Sequence, residues 1–381
     1  MGDDVVSFVM RHQNARVRFQ ITSFTAPCRN LKLKYNMDPT FAPCEVTNYD
    51  LKGVITGYTG SADTSQWGDF MPLTVNKPYV PSAITETYKT STGYIYYPGH
   101  YQMWMQHYMW WDGTIYGKSD IFSENSLTHI AFGHQATDFF EPNHSYVYNI
   151  TVKPSVLYLF SDGTVGTFGD KGSRTPIGIV VKEKTSASDQ GTACALEMRN
   201  GSWKNVDDHI EENVHPSPTN MVETAADMNG ENWTYNANLQ GIVRSNQATT
   251  YPAFYQAAHY TPGVPTASNI GRWYFPSYGE LIQFVHVFDK SFTLTTTEVI
   301  YPHYPQISTE FGGKVKSAFT QVGKPDPNLH FIISSTQIDT GSGMAFQPAF
   351  IHIPWPGDPR LYTGVCWNTM SNSFIMPFVH F

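Results

Sequence analysis

The chain has 381 residues and a formal net charge of −8, and it is poor in charge (15%) for its richness in aromatics (15%). Average domains are about a quarter charged, so polarity here comes from Ser, Thr, Asn, Gln and Gly. That excludes a nucleic-acid binder working through clustered Lys and Arg and a long disordered acidic tail. No run approaches the roughly 18 to 20 apolar residues that span a bilayer. Met1–Met10 lacks a basic region followed by an apolar one, so an exported protein is expected to have lost its signal.

Val5–Met10 opens a series of short strands. Ala15, Val17, Phe19 and Ile21 alternate with polar residues, the signature of a strand with one wet face, and Leu31–Tyr35 repeats the pattern. Tyr94–Tyr97, Leu127–Phe132 and Tyr146–Val152 supply further strands. Many short strands without helical periods predict an antiparallel sandwich. The ring-rich run Tyr94–Trp111 has two readings: strands burying one face, or a stacking platform for sugars. Pro154 cannot donate to a ladder, which sets a domain boundary: an N-terminal all-β sandwich at 1–153 and an α+β domain at 154–381. In the second domain Tyr251–Tyr260, Ser277–Phe288 and Gly313–Val322 predict helices. Ser277 and Glu280 of the second have capping-box spacing. Strands return at Phe331–Ser335, Phe346–Ile353 and Phe374–Phe381.

Chemical constellations are sparse. Cys28 and Cys44 permit a disulfide in an oxidising compartment, or are free thiols like Cys194 and Cys366; no CxxC pair exists. Asp207–Glu212 is the densest acidic run and reads as a solvated loop or a cation-recruiting one. No H-E-x-x-H occurs among the histidines, and Gly341-Ser342-Gly343 is a flexible turn with no nucleophile elbow. No catalytic residue, metal ligand or cofactor is assigned, and an enzyme is not expected.

Gly271-Arg272-Trp273-Tyr274-Phe275-Pro276-Ser277-Tyr278-Gly279-Glu280-Leu281 resembles the G-x-W-Y-L-P-S-x-G-E-L segment of bacterial surface domains with the C-type-lectin-like fold of the formylglycine-generating-enzyme group. In the family's order, Ser161–Val165 and Thr175–Val180 resemble its opening strands, Val315–Val322 its I-N-x-A-L helix, Ser334–Gln337 its W-S-S-T-E strand and Met376–Phe381 its closing strand. Ile333, Gln337 and Met376 stand where the family has Trp, an acid and Arg. His12–Phe19 and Phe140–Tyr148 resemble strands of fimbrillin-type (type V) pilus proteins, covering residues 1 to about 153. Glu141-Pro142-Asn143 matches the sugar-binding lectins' E-P-N but lies in the first domain, and Trp367-Asn368-Thr369 lacks the acid of W-N-D. Calcium needs six to eight oxygen ligands, several of them carboxylates, so calcium-dependent sugar binding is not expected.

Together these resemblances imply an exported pilus tip adhesin, located extracellularly at the cell surface, outer membrane or fimbrium. Its partners would be pilus subunits and a glycan or protein on a host or bacterial surface. Lectin-like domains ending in this way are targets of diversity-generating retroelements, which would make this a variable protein; ordinary family divergence is the other reading. The face would comprise Phe346, Phe350, His352, Trp355, Asp358, Arg360, Tyr362 and Trp367, since rings and Arg supply contact area at low entropy cost. The alternative is a structural pilus or phage-particle subunit acting in assembly. Fimbrillin-type subunits exchange a strand between protomers, and a chain closing on its own Phe374–Phe381 strand is expected at the tip.

Overall fold

The computed structural model describes residues 14–25, 28–36, 45–49, 55–59, 71–72, 81–85, 87–91, 94–98, 101–102, 108–115, 130–131 and 139–151. It also describes 156–381, apart from 169–170, 215–217, 296–303, 328–329, 342–345 and 354–359. The Val5–Met10 strand and most of Leu127–Phe132 lie outside these residues. The protein is rich in β-structure with few helices, and it forms two compact units, Met1–Val80 with Glu86–Pro154, and Pro81–Thr85 with Ser155–Phe381.

The first unit contains β1 (Asn14–Thr25), β2 (Cys28–Asn36), β3 (Glu45–Tyr49), β4 (Ile55–Thr59), β5 (Met71–Pro72) and β6 (Thr87–Ser91). There follow β7 (Ile95–Pro98), β8 (Tyr101–Gln102), β9 (Tyr108–Ile115), β10 (Ile130–Ala131), β11 (Phe139–Phe140) and β12 (Ser145–Thr151). β1 pairs β12, β6 and β7, while a second sheet runs β10-β9-β2-β5. Among the described residues the expectation of a purely antiparallel unit fails at one place: β1 and β12 are parallel, in register from Arg16 opposite Ser145 to Ile21 opposite Ile150. Period-two alternation is the same for either direction, so it carried no signal of this. Parallel neighbours need a long crossover, and everything between β1 and β12 supplies it. Of the aromatic run, Tyr94 is exposed and lies under Arg16, whose guanidinium carbon is 4.4 Å from the ring centroid. Glu141-Pro142-Asn143 is the tight turn entering β12. Asn143 takes a left-handed φ of 62° and the His144 N–H donates to Glu141 O at 3.2 Å, so the tripeptide has a local backbone role.

The second unit has a six-stranded sheet and a five-stranded sheet. The first is ordered β14 (Val165–Gly166), β13 (Tyr158–Phe160), β15 (Pro176–Lys182), β16 (Thr192–Ala195), β23 (Phe378–His380), β18 (Trp273–Tyr274). The second is ordered β17 (Arg199–Asn200), β22 (Phe374–Ile375), β19 (Ile332–Ile338), β20 (Gln347–His352), β21 (Tyr362–Val365). Pro81–Thr85 belongs with this unit because the Val165 N–H donates to Ser82 O at 2.7 Å and the Thr85 N–H to Lys184 O at 2.6 Å; no motif marks that return.

Helices form at the three segments expected to be helical, as α3 (Pro252–Ala258), α4 (Tyr278–Phe288) and α5 (Phe311–Thr320), the last two where apolar spacing predicts them. Two short ones, α1 (Met221–Thr224) and α2 (Gly230–Tyr235), carry too few turns for a periodic signal. Leu281, Phe284, Val285 and Phe288 of α4 join Phe311, Val315 and Phe319 of α5 in one core cluster with Tyr158, Ile179, Ile332 and Ile351. The other face of β19 and β20 buries Ile333 and Phe350 with Trp203, Trp233, Phe254 and Phe275. β19 is therefore covered on both sides and every residue in it is buried. Cys194 and Cys366 are free and buried; burial pushes the Cys194 thiol up to about 12. A Cys28–Cys44 bridge lies outside the described residues.

Glu280 is the centre of the α4 start. Its Oε2 accepts the Ser277 N–H at 2.7 Å and its Oε1 accepts the Tyr274 hydroxyl at 2.6 Å, the glutamate half of the predicted capping box. The Ser277 hydroxyl donates to Asp227 O at 2.7 Å. Burial raises the Glu280 carboxyl from 4.5 to about 7, against its hydrogen bonds. The native state thus holds a proton that the unfolded chain releases between those pH values, so stability from this group is lost as pH rises through them. Relative to Glu280→Gln, wild type should lose on the order of 3 kcal/mol between about pH 4.5 and 7.5. Urea unfolding of both proteins across that range checks this; a constant difference refutes it.

Candidate functional site

Several of the predicted binding residues meet at one end of β20 and β21. His352 stands opposite Tyr362 in the antiparallel ladder, which puts both side chains on the same face. Their rings are 5.2 Å apart, and Tyr304 packs edge-on to Tyr362 with centroids 4.6 Å apart. Exposed Arg360 lies over both tyrosines, its guanidinium carbon 5.5 Å from the Tyr362 centroid and 5.9 Å from that of Tyr304. His330 completes the cluster, with its Nδ1 3.2 Å from His352 Nε2, and Phe331 sits edge-on to His352 at 5.0 Å. Tyr304, His330 and Phe331 come from before β19, far from the predicted segment in sequence, and only cross-strand pairing reveals them. This surface combines aromatic area, a cation and two imidazoles at half-buried or exposed positions. It is suited to recognition by stacking and charge.

The other predicted residues separate. Phe350 must be withdrawn from the exposed set: it is packed 5.3 Å from Phe331 among buried rings, on the same face of β20 as His352 but inside the strand rather than at its half-exposed end. Phe346 precedes that strand, half-buried, with a left-handed φ of 58°. Trp355 and Asp358 lie outside the described residues. Trp367 is exposed but sits past the far end of β21, with the His209 ring 6.0 Å away. Among the described residues no group of three or more His, Cys, Asp or Glu is placed to hold a metal ion.

His209 belongs to the acidic run, where the solvated-loop reading fails for Glu212 although Asp207 is exposed and Asp208 and Glu211 are partly so. Glu212 is fully buried, its carboxylate contacted by Lys204 Nζ, by Arg244 Nε at 3.7 Å and by the Asn238 side-chain amide at 3.3 Å. Lys204 also bonds Asp208. Burial works against the Lys204 charge, but its hydrogen bonds to Asp208 and Glu212 outweigh that and hold its pKa above the usual value. Arg244 is completely buried, flanked by the Trp203 and Phe254 rings at 5.1 and 4.9 Å, and burial lowers its pKa to about 10.

Gln337 anchors the same loop to β19. Its side-chain oxygen accepts the Glu212 N–H at 2.9 Å while its NH₂ donates to Ile210 O at 3.0 Å. An ionised acid at 337, as the resembled family has, would accept but could not donate.

No family model and no curated protein matches the sequence. One solved structure, a fimbrial protein from Bacteroides ovatus ATCC 8483, is similar over 97% of this chain and 71% of its own, at 11% identity and a TM-score of 0.39.

The buried charges make a sharp test. Removing one partner of a buried ion pair strands the other, at about 3 to 5 kcal/mol. Glu212→Gln should destabilise by that amount in urea unfolding; a change under about 1 kcal/mol would show the carboxylate to be dispensable.

Proposed function

We propose that the protein is an exported surface adhesin of pilus type, with a fimbrillin-like unit at 1–153 and a C-type-lectin-like unit at 154–381, whose work is recognition without catalysis. The observation that carries the binding role is the meeting of Tyr304, Arg360, Tyr362, His352 and His330 at one end of the five-stranded sheet. Trp355 and Asp358 belong to the chain linking β20 to Arg360 and are assigned to the same face by sequence. The ligand is a glycan or protein on a host or bacterial surface, with a few ring and Arg anchors dominating affinity.

Tyr362→Ala and Arg360→Ala should each weaken binding about tenfold on a glycan array or on immobilised surface proteins, with an unchanged melting temperature. Unaltered binding in both variants removes the site. Retroelement diversification has a separate test. Sequencing the gene from sibling cells should show changes concentrated between Gln337 and Thr369, and evenly spread changes would count against it.

A further inference from the structure

The segment from Lys204 to Val214 has part of its polarity inverted. Two of its charged residues, Lys204 and Glu212, are buried, whereas Val206, Ile210 and Val214 are exposed to water, as are Leu239 and Trp367; these five are 46–54% exposed. The exposed residues belong to segments hydrogen-bonded to one another: the Lys204 N–H donates to Asn368 O at 3.1 Å, and the Leu239 N–H to Glu212 O at 3.1 Å. His209, beside Trp367, holds a left-handed φ of 53°, a conformation that non-glycine residues adopt at a cost. A loop free to collapse would bury its aliphatic side chains and hydrate its charges. The Glu212 cluster and the two-way Gln337 bridge prevent this, at the desolvation cost that buried charges carry.

We propose that this loop, with Leu239 and Trp367, is a second docking surface, distinct from the Tyr362 cluster, and that it takes a protein segment with an apolar centre flanked by Lys or Arg. Clustered exposed apolar side chains mark interaction sites in folded proteins. The occupant's chemistry follows from what surrounds them. Across 203–214, 236–250 and 366–370 the basic residues Lys204 and Arg244 are buried, while Asp207 is exposed and Asp208 and Glu211 are partly so. The accessible formal charge is therefore negative, and a basic flank complements it. A second copy of this chain would bring like charges together, with no exposed Lys or Arg among the described residues of these segments. A sugar would meet one flat ring and four branched aliphatics, which offer its hydroxyls nothing.

The test is an immobilised array of peptides with Leu/Ile/Phe centres flanked by Lys, Glu or Ser. Lys-flanked peptides should bind best and lose binding as salt rises. Ile210→Ser and Trp367→Ala should each reduce binding about tenfold, with thermal melts showing both variants folded. Asp207→Asn combined with Glu211→Gln should abolish the preference for Lys over Ser flanks. Tyr362→Ala should leave peptide binding intact, so that failure of the first site and failure of this one are told apart. The proposal is overturned by absent binding, by indifference to flank charge, or by binding that survives both apolar variants. It is equally overturned by self-association that Ile210→Ser abolishes, or by a glycan signal that Trp367→Ala removes.

Discussion

The organisation of the second unit depends on the burial of β19 on both faces. A strand with one wet face could turn polar side chains to solvent; this one cannot, so Ser334, Thr336 and Gln337 must find partners inside. Ser334 donates to Ala349 O at 2.9 Å and knits β19 to β20. Thr336 donates to Asp227 at 2.6 Å and accepts the Tyr278 N–H at 2.8 Å, which fixes the start of α4. Gln337 holds the Ile210–Glu212 backbone. Three of the strand's four polar residues thus each set the position of a different neighbour, while the Ser335 hydroxyl is buried without a hydrogen-bond partner.

From that constraint come two surfaces of different character. At one end of β20–β21, the ladder aligns His352 with Tyr362 and gathers rings from Tyr304, Phe331 and His330 around Arg360. Around Trp367, a loop stapled by buried charges displays aliphatic side chains. The first is rich in rings and cationic, the second branched-aliphatic with acidic neighbours, so the same ligand would not suit both.

Much of the architecture was legible because it rests on local periodicity. The α4 segment has apolar residues at helical spacing and a Ser–Glu cap, and α4 begins where that cap places it. The parallel β1–β12 pairing was not legible, since alternation is blind to strand direction. Phe350 was misassigned for a related reason: alternation puts it on the same face of β20 as His352, and only tertiary packing decides that position 350 is covered by buried rings while the strand's end is half-exposed. Within the acidic run Glu212 misled, because charge density ordinarily means hydration, and nothing within Asp207–Glu212 signals that Lys204 and Arg244 close over it.

By itself the sequence determined where the three longer helices and several of the strands lie, that charge is scarce and rings abundant, and that it carries no metal motif or nucleophile elbow. These are properties of composition and short spacing, which operate within a few residues. Tertiary structure alone decided which rings are displayed, which acid is buried and which residues distant in sequence share a surface. Those outcomes depend on strand facing and long-range pairing, where Tyr304 meets Tyr362 and Gln337 meets Glu212, and no local pattern encodes them.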